Sequence, residues 1–437
     1  MHDHDLVIIG GGLVGASLAV ALADSGMRIA VVEASGANAA SHPSYDERVI
    51  ALSRGSARIF EGMGIWPDVA RDAEPIRHVH VSDRGHFGFA HLDAEDEGVP
   101  ALGYVAAARA MGAALSARLD ASPQITLLRP GRLVGWQVTS ERVSVEVAVG
   151  GRSRLLTAAL LVAADGGEST VRKRLGMAVR ERRYGYDAII STVTPVQVPE
   201  QTLPGTAFER FTDSGPLALL PMTEDRYGVV WTAREQDSAG ILSLSDQDFL
   251  AALQARFGRR LGLFTRPGRR IAYPLKLMLA RQLTRERLLL IGNAAHTLHP
   301  VGGQGFNLGL RDVAVLADLL IEAQATAKDL GGPALLRSYR RRRGPEHALL
   351  AGLTDGLARL FVNPWAPVRM ARSLGLLGLD LASPARHHLA QRFMGSIGRQ
   401  PRLARGLPAP ISMPAAPDTG DRRFLAAPSG DGGSITD

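Results

Sequence analysis

Apolar positions along the chain fall into short unbroken runs and into longer periodic stretches. The runs Leu6 to Ile9, Ile29 to Val32, Leu160 to Ala163 and Leu288 to Ile291 carry no polar break and read as strands buried on both faces. The last run ends at Gly292 and opens a loop holding Gly302, Gly303 and Gly305. A helix follows with Leu308, Val313, Leu316, Leu319 and Leu320 on its apolar side. Strand, glycine-rich loop and helix together aim backbone N–H groups and a positive helix end at an electron-rich ligand. Taken alone, the same pattern also describes a tight turn.

The N-terminal run is more specific. Leu6 to Ile9 is followed by Gly10-Gly11-Gly12-Leu13-Val14-Gly15, a small-residue helix over Ala16 to Ser25, Gly26, the strand Ile29 to Val32 and Glu33. This is the dinucleotide fingerprint in its required context. Gly10 turns the chain, Gly12 lets the backbone approach a pyrophosphate, and Gly15 lets helix and strand pack closely. Glu33 stands where a carboxylate accepts hydrogen bonds from a ribose diol, which favours FAD or NAD over a 2′-phosphorylated nucleotide. Leu160 to Arg172 repeats the theme, with Asp165 starting a turn and Ser169 capping a helix.

Between these segments the pattern predicts a helix over Ser56 to Met63 and a hairpin of Ile76 to Val81 with Gly85 to His91. It also predicts an alanine-rich helix over Tyr104 to Leu119 that carries Arg109. Ile125 to Leu128, Leu133 to Val138 and Val143 to Ala148 read as an antiparallel meander. From Tyr184 to Tyr273, strand-like runs surround one helix at Asp246 to Phe257, which marks a mainly antiparallel second domain. Leu349 to Phe361 and Trp365 to Leu381 are apolar helices. The expected division is a discontinuous α/β, Rossmann-like FAD-binding domain (1–75, 101–178 and 285–345), an inserted β-sheet substrate domain (76–100 and 179–284) and a C-terminal helical region (346–398). A Pro-, Gly-, Ser- and Asp-rich tail (399–437) is expected to be disordered.

Composition narrows the chemistry. The 437 residues include no cysteine, so disulfides, cysteine-ligated zinc, iron–sulfur clusters and thiol catalysis are excluded. A net charge of +7 comes mainly from arginine clusters without aromatic interleaving, which read as solvated surface and predict no nucleic-acid partner. No stretch is apolar enough to span a membrane and no signal peptide is visible, so the expected location is the cytoplasm or the cytoplasmic face of the inner membrane.

Three separated signals then line up: Gly10-x-Gly12-x-x-Gly15, Ala164-Asp165-Gly166, and Gly292-Asn293 with His299-Pro300-x-Gly302-Gly303-Gln304-Gly305-Phe306-Asn307. Together they resemble the class A FAD-dependent aromatic monooxygenases, whose FAD-binding fold is that of p-hydroxybenzoate hydroxylase. Within these the chain is similar to the ubiquinone-biosynthesis hydroxylases. Tyr45-Asp46-x-Arg48, Gly103-Tyr104-Val105 with Arg109, and Tyr273-Pro274-Leu275 match the same branch. The 2-polyprenyl-6-methoxyphenol hydroxylase subgroup is matched by His78 to His86, Phe208 to Thr212, Gly215 to Ala218 and Asn363-x-Trp365-Ala366-Pro367. The resemblance covers residues 5 to 397.

The resemblance implies a bound FAD and a transient NADPH or NADH. The reduced flavin would form a C4a-hydroperoxide with O₂ and hydroxylate a polyprenylated methoxyphenol. It assigns Gly10, Gly12, Leu13, Val14, Gly15, Glu33, Arg48, Arg109, Asp165, Gly292, Asn293, Pro300, Gly303, Gln304, Gly305, Phe306 and Asn307 to the cofactor. His78, His80, Arg210 and Tyr273 are candidates for the substrate side. His296 and His299 read better as ties that hold the loop than as acid–base groups. Three departures from the family pattern stand out: Asn293 where most relatives have Asp, Gly302 where the branch has Ala, and Ala107-Ala108 where relatives have Glu-Asn. Asn keeps a carbonyl acceptor for a ribityl hydroxyl but lacks the charge. A greasy substrate implies contact with a membrane surface, a lipid carrier or other ubiquinone-biosynthesis proteins. For the apolar helix at Leu349 to Phe361, intramolecular packing is the favoured reading over a lipid-facing surface. Two other functions remain open: a hydroxylase of another aromatic compound, and an FAD-holding subunit that scaffolds an assembly without catalysis.

Overall fold

The unbroken apolar runs form the middle of one parallel sheet. In the computed structural model, which describes residues 2–36, 48–363 and 365–410, the strand His4–Ile9 lies between Ile29–Val32 and Arg152–Ala163, with Ile8 opposite Val31 and Val162. Leu288–Leu290 extends the sheet beyond Arg152–Ala163, and Ile125–Leu128 extends it beyond Ile29–Val32, again in parallel. Leu6, Val7, Ile8, Val31, Leu161, Leu289 and Ile291 are fully buried, because helices cover both faces. Tyr45 and Asp46 lie outside the described residues.

A nine-stranded, mainly antiparallel sheet forms the second layer. Its centre is Val179–Val196, flanked by Ile271–Ala280 on one side and by Tyr227–Arg234, Gly215–Pro221 and Thr206–Thr212 on the other. The hairpin His78–Asp83 with Phe89–Asp93 completes the far edge. The helix Asp246–Phe257 covers one face, burying Phe249, Leu253 and Phe257 against Phe208, Leu219 and Trp231. A small sheet of Val49–Ser53, Gly103–Ala107 and Ala73–Ile76 bridges the two large ones.

Several elements differ from the sequence pattern. Gly103–Ala107 is a strand, and the helix starts only at Ala108. Alanine is locally permissive, and pairing with Val49–Ser53 decides the state. Ile125–Leu128 belongs to the parallel sheet; the meander consists instead of Gly131–Val138, Val143–Val149 and Arg152–Ala163. The second layer carries an additional helix, Glu235–Ser243. The helix expected to begin at Leu349 starts at Pro333 and runs through Pro345 to Val362, and a further helix spans Ser383–Phe393.

The expectation of a disordered tail is corrected at its start. Leu403 and Ala404 are buried, and the Arg402 N–H donates to Asp318 Oδ2 at 3.1 Å. A Cβ on Gly62, in the helix Arg54–Gly62, would lie 2.9 Å from the Leu407 carbonyl oxygen. Two buried apolar side chains and a backbone tie offset the disfavoured composition over this stretch. The tail beyond residue 410 lies outside the described residues.

Candidate active site

The glycine-rich turn after His4–Ile9 is shaped by three different demands. Gly10 has φ +103°, and a Cβ there would stand 2.4 Å from the Ala164 carbonyl oxygen. A Cβ on Gly15 would stand 1.9 Å from the Gly10 oxygen. Both positions need glycine for chain packing. A Cβ on Gly12 would meet nothing within 4 Å, so Gly12 faces open space at the start of the helix Leu13–Ala21. Val14, in the first turn of that helix, packs against the late loop: Cβ atoms on Gly292 and Gly309 would lie 2.9 and 3.0 Å from its methyl groups. Glu33 closes the turn by accepting from the Gly11 N–H at 2.7 Å, and its other oxygen accepts from the Ser35 N–H at 2.8 Å.

Asp165 lies directly beside this turn. One carboxylate oxygen accepts from the Val171 N–H at 3.1 Å, and the other is buried without a hydrogen-bond partner among the described residues. Ser169 caps the helix Thr170–Arg174 by accepting from Arg172 N–H at 3.0 Å, as the turn chemistry predicts.

The late loop is pinned from several sides. Gly302 and Gly303 have φ +67° and +63°; a Cβ on Gly302 would meet the Phe393 ring at 2.7 Å, and one on Gly303 would meet Ala51 Cβ at 3.0 Å. Asn307 is buried and fully used: its carbonyl accepts from the Ser53 N–H at 2.8 Å, and its amide donates to Ala51 and Gly303 carbonyls at 2.9 and 2.7 Å. Phe306 packs near Phe60, with centroids 6.4 Å apart. Gly305 borders open space, Asn293 is exposed, and Pro300 is half-buried. The buried Gln304 donates to the Gly302 carbonyl but leaves its own carbonyl oxygen without a partner among the described residues. Left-handed Gly303 ends the loop and starts the helix Gln304–Ala325, so that helix's positive end is at the loop.

A buried knot that sequence reasoning missed anchors this arrangement. The fully buried Asp312 accepts from the Gly292 N–H at 3.1 Å and from Arg343 Nε at 2.6 Å, and it hydrogen-bonds to His296 at 3.0 Å and His347 at 2.6 Å. His296, Asp312 and His347 are close enough to share a metal ion. The guanidinium already on that carboxylate supplies the compensating positive charge, so a hydrogen-bonded anchor is the better description. Burial pushes the pKa of His296 and of His299 down to about 4. His299 accepts from the Val301 N–H at 3.3 Å and sits edge-on to Tyr184. Both imidazoles therefore serve as neutral ties at neutral pH.

The arginines fall in different places. Arg48 stacks its guanidinium over Tyr273 at 5.0 Å, at the entrance to the bridging strand Val49–Ser53. Arg109 is exposed, with Asp72 at 3.9 Å.

The substrate-side candidates divide between the two faces of the second sheet. Alternation along a strand puts successive side chains on opposite faces. The register places Val81, Glu209, Ala218, Val230 and Ile190 side by side in one row. The neighbouring Val79, Ala207 and Leu220 pack on Val49 and Ala51 of the bridging strand, and a Cβ on Gly228 would meet Val49 at 2.3 Å. This face therefore looks towards the late loop, and Tyr273 shares it, standing opposite Ala188. His78, His80 and Arg210 point to the other face, with Phe208, beneath the helix Asp246–Phe257. There His78 pairs with Asp93 at 2.5 Å and His80 with His91 at 2.7 Å. Of the four candidates only Tyr273 remains on the loop side. Glu209 also lies on the loop side, as the alternation of Ala207, Glu209 and Phe211 along the strand dictates.

Open space at Gly12 and Gly305, two orphaned buried oxygens on Asp165 and Gln304, and a helix N-terminus converge where three separated segments meet. These residues fit an extended dinucleotide flavin. Residues 3–351 match the family model described as an FAD binding domain. The p-nitrophenol 4-monooxygenase PnpA of Pseudomonas putida shares the fold, with a TM-score of 0.74 over 91% of this chain and 98% of that one at 18% identity. The family model and the fold together define an FAD-binding protein with the fold of a flavin monooxygenase. Ubiquinone hydroxylase UbiL of Rhodospirillum rubrum is 39% identical over 407 residues, covering 92% of this chain and 93% of the relative. The 3-demethoxyubiquinol 3-hydroxylase of Escherichia coli is 30% identical over 395 residues, covering 90% and 98%. The chain belongs to the ubiquinone-biosynthesis hydroxylase family of these flavoenzymes.

Proposed function

We propose that this enzyme hydroxylates the ring of a polyprenylated methoxyphenol, with NADPH or NADH as the electron source. The observation that supports this substrate is the row Val81, Ala218, Val230 and Ile190 on the sheet face towards the late loop. Apart from Glu209 it offers only apolar surface, which suits a greasy ring and excludes water from the reacting centre.

The bound flavin supplies reducing equivalents and activates O₂. In our reading Gly12 and the helix Leu13–Ala21 bind its pyrophosphate, Glu33 its adenosine ribose, and Asp165 and Asn293 its polar chain. Backbone N–H groups in the first turn of the helix Gln304–Ala325 would hold the ring and would stabilise negative charge on it when it is reduced. Arg48 and Arg109 extend this contact from the bridging sheet and from the helix Ala108–Asp120.

The long prenyl chain is met at a membrane surface. No helix among the described residues is long and apolar enough to cross a bilayer. The helix Ala366–Leu381, however, leaves Met370, Leu374 and Leu381 exposed at 55%, 54% and 75%, and Trp365 before it at 65%. With Arg369 beside them, this is the makeup of a helix that lies in a lipid interface. On the preceding helix Leu350 packs inside, while Leu349 and Leu360 are exposed.

The test is gene deletion with lipid mass spectrometry. A build-up of 2-polyprenyl-6-methoxyphenol, relieved by the intact gene, supports the reading; unchanged ubiquinone overturns it. Leu374→Glu with Leu381→Glu should reduce co-sedimentation with anionic vesicles, and undiminished binding would dismiss this docking face.

A further inference from the structure

We propose that Glu209 is the catalytic base that takes the proton from the phenol hydroxyl of the substrate, an inference that rests on the phenol-hydroxylase reading above. Glu209 sits in the middle of the strand Thr206–Thr212, between Val81 and Ala218 in the cross-strand row. On one side of that row, Ala207 is covered by Val49 and Ala51 of the bridging strand. On the other, Phe211 is covered by Leu357 and Leu376 of the C-terminal helices. The row between these two roofs is only partly covered: Val81, Glu209, Val230 and Ile190 are all half-buried although both flanks are packed. Side chains that keep accessible surface between two buried flanks line an internal space. The late loop borders the same region, since Gly303 touches Ala51 and Leu308 packs with Leu350 of the long C-terminal helix.

The charged groups on the elements around Glu209 are engaged elsewhere. Asp83, two residues beyond Val81, is paired with Arg372. Asp355 on the long helix holds Arg182 and Tyr184, and Arg359 is also beside it. Arg48 is stacked on Tyr273, four strands away in the sheet. The bridging strand contributes Val49 and Ala51, and the adjoining strands contribute Val81 and Ala218. Burial alone raises the carboxyl to about 7, where a general base is best poised at neutral pH. His78, His80 and Arg210 cannot serve here, because they occupy the opposite face.

In the step, the phenol O–H bond breaks and its proton forms an O–H bond on the Glu209 carboxylate. The electron pair left on the phenolate oxygen raises the nucleophilicity of the ring carbon that accepts electrophilic oxygen from the reduced-flavin and O₂ chemistry of the established activity. The ring carbon then loses its own proton to water as aromaticity returns, and the Glu209 proton goes back to the ring oxygen. Glu209 ends unchanged.

The probe is 2-methoxy-6-prenylphenol with flavin-loaded protein. Single-turnover hydroxylation by the wild type should rise about tenfold per pH unit below pH 7 and level off above it. Glu209→Gln should retain its flavin, lose this pH dependence, and hydroxylate at least tenfold more slowly at pH 8. Infrared titration of the wild type supplies a measurement independent of any variant: a carboxyl band titrating near pH 7 should shift when the probe binds. A Glu209→Gln protein with wild-type rate and pH profile, or a band that ignores the probe, overturns the proposal and leaves the hydroxylase reading intact. A wild type that hydroxylates no phenol overturns both.

Discussion

Asp312→Asn is the sharpest test of how the flavin loop is held. The substitution keeps the side-chain shape but removes the charge from a fully buried carboxylate. Arg343, also buried, then loses its 2.6 Å anionic partner and keeps the Leu308 carbonyl at 3.2 Å and, as its one remaining charged partner among the described residues, Glu346, which Arg311 shares at 2.6 Å. Removing one member of a buried ion pair costs about 3–5 kcal/mol, because the remaining charge stays desolvated. The surviving Glu346 contact places the expected loss near the lower end, about 3 kcal/mol, roughly a hundredfold in the folded-to-unfolded ratio. The new amide also presents N–H groups where the Gly292 N–H or a histidine had donated, so one donor is left facing another. Urea unfolding followed by tryptophan fluorescence reads the stability, and the flavin-to-protein absorbance ratio reads the loop. Asp312→Asn should shift the urea midpoint down and shed flavin on gel filtration. A midpoint within about 1 kcal/mol of the wild type, with full flavin content, would refute the idea that this knot carries the loop.

Gly12→Val should fold with near-normal stability, because its side chain enters open space, yet purify colourless, because on the proposed reading that space takes the pyrophosphate; normal flavin content in the variant would remove Gly12 from the site. The second expectation concerns acid. His299 is depressed to about 4 by burial, below its usual 6.5, so the unfolded chain binds its proton first. Its contribution is present above pH 6.5 and is lost as pH falls towards 4. In His299→Gln about 3 kcal/mol of this acid-side loss should vanish; unfolding curves of parallel pH dependence in the two proteins would contradict the buried, neutral imidazole.

Four strands of the parallel sheet were legible because their runs needed only to be unbroken and apolar, whereas Ile125–Leu128, interrupted by Thr126, was read into the meander. Leu6 to Ile9 and Leu288 to Ile291 announce burial on both faces, and the glycines after them limit what the loops can be. The region around Tyr104 was not legible, since Ala106 to Ala108 suit a helix or a half-buried strand equally and only pairing with Val49–Ser53 settles the matter. Asp312 stayed hidden for another reason. Its partners come from residues 292, 296, 343 and 347, and no local pattern shows that they converge.

The substrate-side candidates show what strand alternation adds to motif matching. His78, His80 and Arg210 drew notice as polar groups in matched motifs, but in a strand a residue's neighbours in sequence belong to the other side of the sheet. Phe208 fixes the phase: it is buried against Phe257 and Tyr227 beneath the covering helix, so Arg210 must share that face and Glu209 must oppose it. The strand pairs in parallel with His78–Asp83, which carries the same phase onto His78 and His80 and leaves Val79 and Val81 towards the loop. One aromatic residue whose burial was predictable from its apolar neighbours Leu217 and Leu219 thus decides four assignments at once. The carboxyl it sends to the loop side has no ion-pair partner among the described residues to account for its position, and on the proposal above this half-buried acid on an apolar face takes the proton of the substrate.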